Sequence, residues 1–320
     1  MNADTSGCVN PDRTKEENLS LQDGLPLPRA VILGEVLWDL FEHSRRLGGA
    51  PLNFGVHARR LRHPVTLISA VGADELGRQA AEMIASLDLD TRLLQATSRF
   101  PTGTAQVQIG HEGATQFTIP RPAAYDAVEL SAHDLEFLQR SVPGWFYYGT
   151  LFASNVQGKK ILHQVFDALG GVAKFYDLNL RPGSDSPELV VELLGCADVV
   201  KLNEEELLRV QEFSGLPLDT EAFCREGSAC YGWRAVAVTR GDRGCALLAG
   251  GQYVEAAGHQ VEVVDAVGAG DAFAAAFMHG LSQNWSAAEI ASFANRVGAL
   301  VAGRQGAIPD WTLEEAVMLG

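Results

Sequence analysis

From Ala30 onward, short apolar and β-branched runs alternate with stretches whose apolar residues recur at helical spacing. This is the pattern of a sheet whose strands are joined by crossover helices. Strands are predicted over residues 30–34, 65–70, 145–149, 173–178, 197–202, 234–239 and 244–249, with helices over 53–61, 75–87, 156–169, 187–194 and 204–212. Parallel strands require connections of this kind. One stretch breaks the rhythm: residues 102–109 and 115–119 alternate apolar and polar positions around a turn at Gly110 to Gly113, which predicts an antiparallel hairpin. Residues 37–41 form a further strand that can join this hairpin in a small separate sheet. A lid built from about 36–47 and 98–121 is therefore expected on a main domain of residues 29–320. Two late segments, 272–281 and 287–301, read as helices, the second Ala-rich and spaced for a buried face.

Composition narrows the class. A chain of 320 residues holds about two units of roughly 150 residues or one large α/β domain. With 47% apolar and 20% charged residues it is globular, and no apolar run reaches the length of a membrane span. The 25 basic residues against 40 acidic give a net charge of −15, which argues against a broad nucleic-acid or anionic-membrane surface. Any anionic ligand must then be gripped by local devices. Cys8, Cys196, Cys224, Cys230 and Cys245 form no CxxC pair and no His-interleaved metal spacing, so a reduced, cytoplasmic compartment is expected. Residues 1–28 lack the apolar stretch of a secretory signal and read as a loosely ordered extension. No repeat of 20–50 residues and no low-complexity tract is present.

The candidate chemistry concentrates in VEVVDAVGAGDAFAAAFMHGL, residues 261–281. A strand is expected to end near Asp265, a Gly-rich turn follows at Gly268, Ala269 and Gly270, and Asp271 stands where an Ala-rich helix begins. Open amides at a helix N-terminus suit a phosphate or a developing phosphoryl charge. A carboxylate beside that charge suits removal of a proton from an attacking hydroxyl, although a helix cap is the simpler local reading. Two nucleotide signatures fail. Gly158 and Lys159 are followed by Lys160 where a P-loop needs Ser or Thr, and Gly34 and Glu35 lead into Val36 and Leu37 without GxGxxG.

Two stretches, GGAPLNFGVHARRL at 48–61 and DAVGAGDAFAAAF at 265–277, resemble the signatures of the ribokinase-like, or PfkB, family of carbohydrate kinases. The resemblance spans about residues 30–310. It departs mildly at Ala266, where the family usually carries Thr. It implies an α/β/α sandwich with a mostly parallel central sheet and a small β lid, with ATP as phosphoryl donor and a sugar hydroxyl as acceptor. Gly48, Gly49 and Asn53 match its sugar-binding signature. Paired glycines also let backbone approach hydroxyls, and Asn53 offers both donor and acceptor, or else caps a helix. Asp39 resembles the family carboxylate that takes two sugar hydroxyls.

Asn203 and Glu206 in KLNEEEL resemble the family's NxxE element, which implies organisation of Mg²⁺ and phosphates through water. A helix-opening acidic cluster is the local alternative. By the same resemblance Thr239 and Gly241 contact the nucleotide, Asn295 lies beside adenine, and Asp265 with the loop 303–306 stands where many members hold a monovalent cation such as K⁺. In FYDLNLRPG, residues 175–183, Asp177, Asn179 and Arg181 alternate, so an extended strand end would aim them to one side. Arg181 could then reach a phosphate or a substrate carboxylate, or else close an ion pair with Asp177.

GEVLWDLF, GGAPLNF and PTGTAQV are most similar to bacterial fructokinases. The expectation is an ATP-dependent fructokinase with Asp271 as base, the Gly268 to Asp271 amides and Arg181 on the transferring group, and a homodimer through exposed lid edges. Its rivals are ketodeoxygluconate, ribose or nucleoside kinases of the same fold, and a non-catalytic sugar-binding protein.

Overall fold

The computed structural model describes residues 26–109 and 115–319. The tip of the expected hairpin, Gly110 to Gly113, and most of the expected N-terminal extension lie outside them. The first strand, β1 (Ala30–Leu33), has no exposed residue, and it pairs in parallel with β4 (Val65–Gly72) and β8 (Trp145–Gly149). Strands buried on both faces can be apolar throughout, which is why they stand out in the chain. Beyond β8 the parallel series continues through β9 (Ala173–Asp177), β10 (Val199–Asn203) and β11 (Ala235–Thr239). The antiparallel strands β12 (Cys245–Ala249) and β13 (Gln252–Ala256) close that side of the sheet, and β5 (Asp90–Thr97) closes the other, in parallel with β4. The order is β13-β12-β11-β10-β9-β8-β1-β4-β5.

Helices cover both faces. On one lie α1 (Ala50–Arg60) and α2 (Glu75–Ala85), together with the late helices. The other face packs against α3 (Ala132–Arg140), α5 (Val156–Ala168), α6 (Pro187–Cys196), α7 (Glu204–Ser214) and α8 (Thr220–Tyr231), with a single turn, α4 (Thr150–Ala153), preceding α5. The late helices are α9 (Ala269–Ser282), α10 (Ala287–Ala302) and α11 (Leu313–Met318). This is the expected three-layer sandwich. Small residues let α9 pack tightly: Ala272, Ala274, Ala275 and Ala276 are fully buried.

A second sheet has the order β3-β2-β6-β7, from β2 (Leu37–Leu40), β3 (Arg45–Gly48), β6 (Gly103–Ile109) and β7 (Thr115–Thr118). The hairpin of β6 and β7 and its pairing with β2 follow the alternation in the sequence, whereas β3 was not expected. The first helix begins at Ala50 with Pro51 in its first turn, not at Asn53. No helix of the described residues is long and apolar enough to cross a membrane.

Candidate active site

The carboxyl ends of the parallel strands and the small sheet face one another across a cavity of about 290 Å³. At its base α9 begins. Gly268 caps it at φ 84°, with Ala307 packed so closely that an added Cβ would stand 2.4 Å from the Ala307 carbonyl oxygen, so only glycine fits. The Ala269 amide bonds to the Ala266 carbonyl at 3.3 Å, and no backbone acceptor among the described residues takes the amides of Gly270 and Asp271. The open anion-binding donors are therefore those two, and Ala269, expected among them, belongs to the turn.

Asp271 sits in the first turn of α9 on the cavity wall. Its Oδ2 accepts from Asn53 Nδ2 at 2.8 Å, while Asn53 Oδ1 is buried without a partner. Asn53 is thus no helix cap but the link between α1 and the carboxyl group. Burial first and the charge of Asp177 second raise the Asp271 pKa to about 7, with Lys201, Asn53 and Arg181 pulling the other way.

Asp177 ends β9 fully buried, and its partner is Lys201 on β10, Nζ to Oδ1 at 3.1 Å. Burial works against the Lys201 ammonium, but Asp177, Glu206 and Asp271 together outweigh it and leave its pKa raised. Nζ also lies 3.2 Å from where a Cβ at Gly270 would stand, so the ammonium rests against the open end of α9. The expected alternation of Asp177, Asn179 and Arg181 is broken: the strand stops at Asp177 and Asn179 turns to φ 43°. Asn179 and Arg181 still reach the cavity, but Asp177 supports its wall from behind. The ion pair weighed for Arg181 with Asp177 is made by Lys201 instead.

Asn203 and Glu206 form a reciprocal cap on α7. Asn203 Oδ1 accepts the Glu206 amide at 2.8 Å, and Glu206 Oε2 accepts the Asn203 amide at 2.8 Å. Glu206 Oε1 also takes the Leu180 amide at 2.7 Å, tying the loop of Asn179 and Arg181 to α7. Asn203 is on the wall, but Glu206 is turned away from it, because both its oxygens are engaged by backbone. Thr239 joins the wall, while Gly241 opens a short 3₁₀ turn outside it. Asn295 is drawn to the end of β13, where Nδ2 donates to the Ala256 and Ala257 carbonyls at 3.3 and 3.1 Å.

From the small sheet come Leu37, Asp39 and Ala105. A Cβ at Gly48 would collide with Asp39 Oδ2 at 2.6 Å, so Gly48 makes room for that carboxylate, and Gly49 alone of the pair lines the cavity. Burial raises the Asp39 pKa to about 6, against the pull of Arg181 and Arg46. Asp265 is not an open cation ligand. Its carboxylate is salt-bridged to Arg46 of β3 and accepts the Gly306 and Val267 amides at 3.1 Å each, so a cation beside it would rest mainly on backbone carbonyls.

Two wall residues escaped sequence reasoning, Lys201 and Glu35. Each was visible as a lone charge within or just after an apolar strand, VVKLN and AVILGE.

A family model described as pfkB family carbohydrate kinase matches residues 31–313. The fructokinase of Escherichia coli is 30% identical over 297 residues, covering 87% of this chain and 94% of the relative. A sugar kinase of Pyrococcus horikoshii, solved in complex with ATP, is 25% identical with a TM-score of 0.75, covering 87% of this chain and 94% of that one. The fructokinase of Vibrio cholerae, solved with fructose, ADP and calcium ion, has a TM-score of 0.77 at 23% identity and shares the fold, covering 92% and 99%.

Proposed function

The chain belongs to the pfkB family of carbohydrate kinases and is an ATP-dependent sugar kinase, and from that premise we propose that it transfers the γ-phosphoryl group to a primary hydroxyl of fructose. The observation that carries the reading is Asp271: a buried carboxyl beside two open amides, with a pKa raised to about 7. A base acts best when its pKa lies near the working pH, and the same site needs donors for the charge spreading over the phosphoryl oxygens.

The sugar lies between Asp39 and Asn53, whose carboxylate and unpaired Oδ1 accept from hydroxyls. Asp271 takes the proton of the attacking hydroxyl. The amides of Gly270 and Asp271, with Lys201 and Arg181, offset the charge of the transferring group. Arg181 can meet two oxygens of the transferring phosphoryl group at once with its planar fork. Thr239 and Asn203 form the wall on the nucleotide side. Mg²⁺ bound with the nucleotide would neutralise phosphate charge and keep most of its waters. Its protein contacts would then run through water, with Glu206 acting by fixing Asn203.

A panel of fructose, ribose, nucleosides and 2-keto-3-deoxygluconate, read by ADP release, tests this. Fructose should give the highest kcat/KM. Turnover of the sugar acid alone would overturn the substrate and leave the kinase.

A further inference from the structure

Glu35 lies in the short joint between β1 and β2, and the reaction as described does not use it. It is 6% exposed, and it lines the same cavity as Asp39, Asn53 and Asp271. The backbone is shaped around it. At Gly49, with φ 112°, a Cβ would stand 2.4 Å from the Glu35 carbonyl oxygen and 3.5 Å from its Cγ. Near it is the Tyr125 hydroxyl, buried without a hydrogen-bond partner and held protonated first by its own burial and then by the charge of Glu35. Burial lifts the Glu35 pKa to about 7, against a hydrogen bond from its own backbone and the charges of Arg181 and Arg121.

A buried carboxyl in a purely supporting role closes a cap or an ion pair, as Glu206 and Asp177 do. Glu35 closes neither a helix cap nor a salt bridge; its carboxyl takes a hydrogen bond from its own backbone and otherwise lines the cavity. Three acidic side chains, Glu35, Asp39 and Asp271, thereby share the cavity with two cations, Lys201, which is paired with Asp177, and Arg181, both of which the proposed reaction assigns to the transferring phosphoryl group.

We propose that Glu35 is a specificity-determining residue that binds a hydroxyl of a neutral sugar and excludes sugars bearing a carboxylate or phosphate at that end. A hydroxyl donates to a carboxylate and accepts from a carboxylic acid, so it satisfies Glu35 in either state. An anionic group satisfies neither Glu35 nor Asp39 when they are ionised, and beside two buried carboxylates it would be repelled. The inference rests on the sugar-kinase reading but not on fructose.

The experiment compares kcat/KM for fructose and for 2-keto-3-deoxygluconate in the wild type, Glu35→Gln and Glu35→Ala. Glu35→Gln keeps a donor and an acceptor but removes the charge, so the neutral-to-acid ratio should fall about tenfold or more. Glu35→Ala should raise KM for the neutral sugar about tenfold or more, with kcat changed far less. ATP affinity by calorimetry checks that each variant is folded, and the isosteric Gln decides if Ala is not. A neutral-to-acid ratio unchanged to within roughly twofold in the folded variants would overturn the proposal. If the wild type prefers another neutral sugar, the fructose reading fails on the wild type alone, and the ratio is then taken with that sugar against the same acid.

Discussion

The helix pair α1 and α9 carries buried titratable groups at both ends, and the two ends behave differently. At one end Asn53 and Asp271 open onto the cavity beside Glu35 and Asp39. Toward the other lie His57, His63 and His279, all nearly inaccessible. Trp311 Nε1 donates to His57 Nδ1 at 3.0 Å, so the proton must be on Nε2, which faces the Ala307 carbonyl at 2.9 Å. His63 bridges the Pro28 carbonyl and His279 Nδ1 at 2.9 and 3.1 Å. Burial drives these histidines neutral, with pKa values of about 3 for His57 and His279 and about 4 for His63. Burial alone therefore does not mark a reactive group. What separates the ends is where the valences go: the histidines largely satisfy one another and the backbone, whereas the carboxyls face open space.

The sharpest way to break this comparison is Asp271→Ala. It should lower kcat roughly 10²- to 10⁴-fold with ATP affinity retained, as steady-state kinetics and calorimetry would show. Near-normal turnover would remove Asp271 from the chemistry. Next in size, Asp39→Ala should raise the KM for fructose by roughly one to two orders of magnitude with a much smaller change in kcat.

A smaller effect concerns pH. Since Asp271 must be ionised to accept a proton, kcat/KM should rise with pH through about 7. Lys201 favours that ionised form, so Lys201→Met should move the rising limb to higher pH, and an unmoved limb would mean the ammonium does not act on the base. At the histidine end, His63→Leu should lower stability by about 1 to 3 kcal/mol, because it strands the Pro28 carbonyl and His279. Kinetic constants should stay unchanged.

The least conspicuous effect is on the pH dependence of unfolding, where the two ends should pull in opposite directions. Unfolded histidines take up protons below their ordinary value of 6.5, which the folded ones refuse until about 3 to 4, so their contribution is lost as pH falls below 6.5. The pocket acids hold protons up to about 6 for Asp39 and about 7 for Glu35 and Asp271, well above their ordinary values of 3.8 to 4.5. Their contribution is lost as pH rises through that window. Denaturant titrations across this range should therefore find His63→Leu weakening the rise of stability with pH and Asp271→Asn weakening the opposing fall.

Much of the architecture was legible because strands buried on both faces, such as AVIL and VTLISAVG, admit almost nothing but apolar residues. The edges were not: β5 (DTRLLQAT) and β13 (QYVEA) expose a face or a side to water and carry mixed sequences. Among site residues, Asp271 and its turn could be read from helix-terminus chemistry, and Asn203 with Glu206 equally as a capping box, which they are. The break at Asn179 could not, since a single left-handed residue leaves the alternation of side-chain types intact. Nor could the partners of Asp265 and Asp177 be foreseen. Arg46 lies 219 residues from the first and Lys201 24 from the second, so neither pairing has a local pattern.

Only Gly34, Glu35 and Val36 separate β1 from β2. Three extended residues reach roughly 10 Å, so the small sheet cannot travel away from the main one on this side. Any movement of the small sheet would have to turn about this short joint, and Glu35 is its middle. A sugar touching Asp39 and Glu35 would therefore brace the small sheet against this joint, and if the sheet turns on it, the angle at which it comes to rest would report the size of the bound molecule.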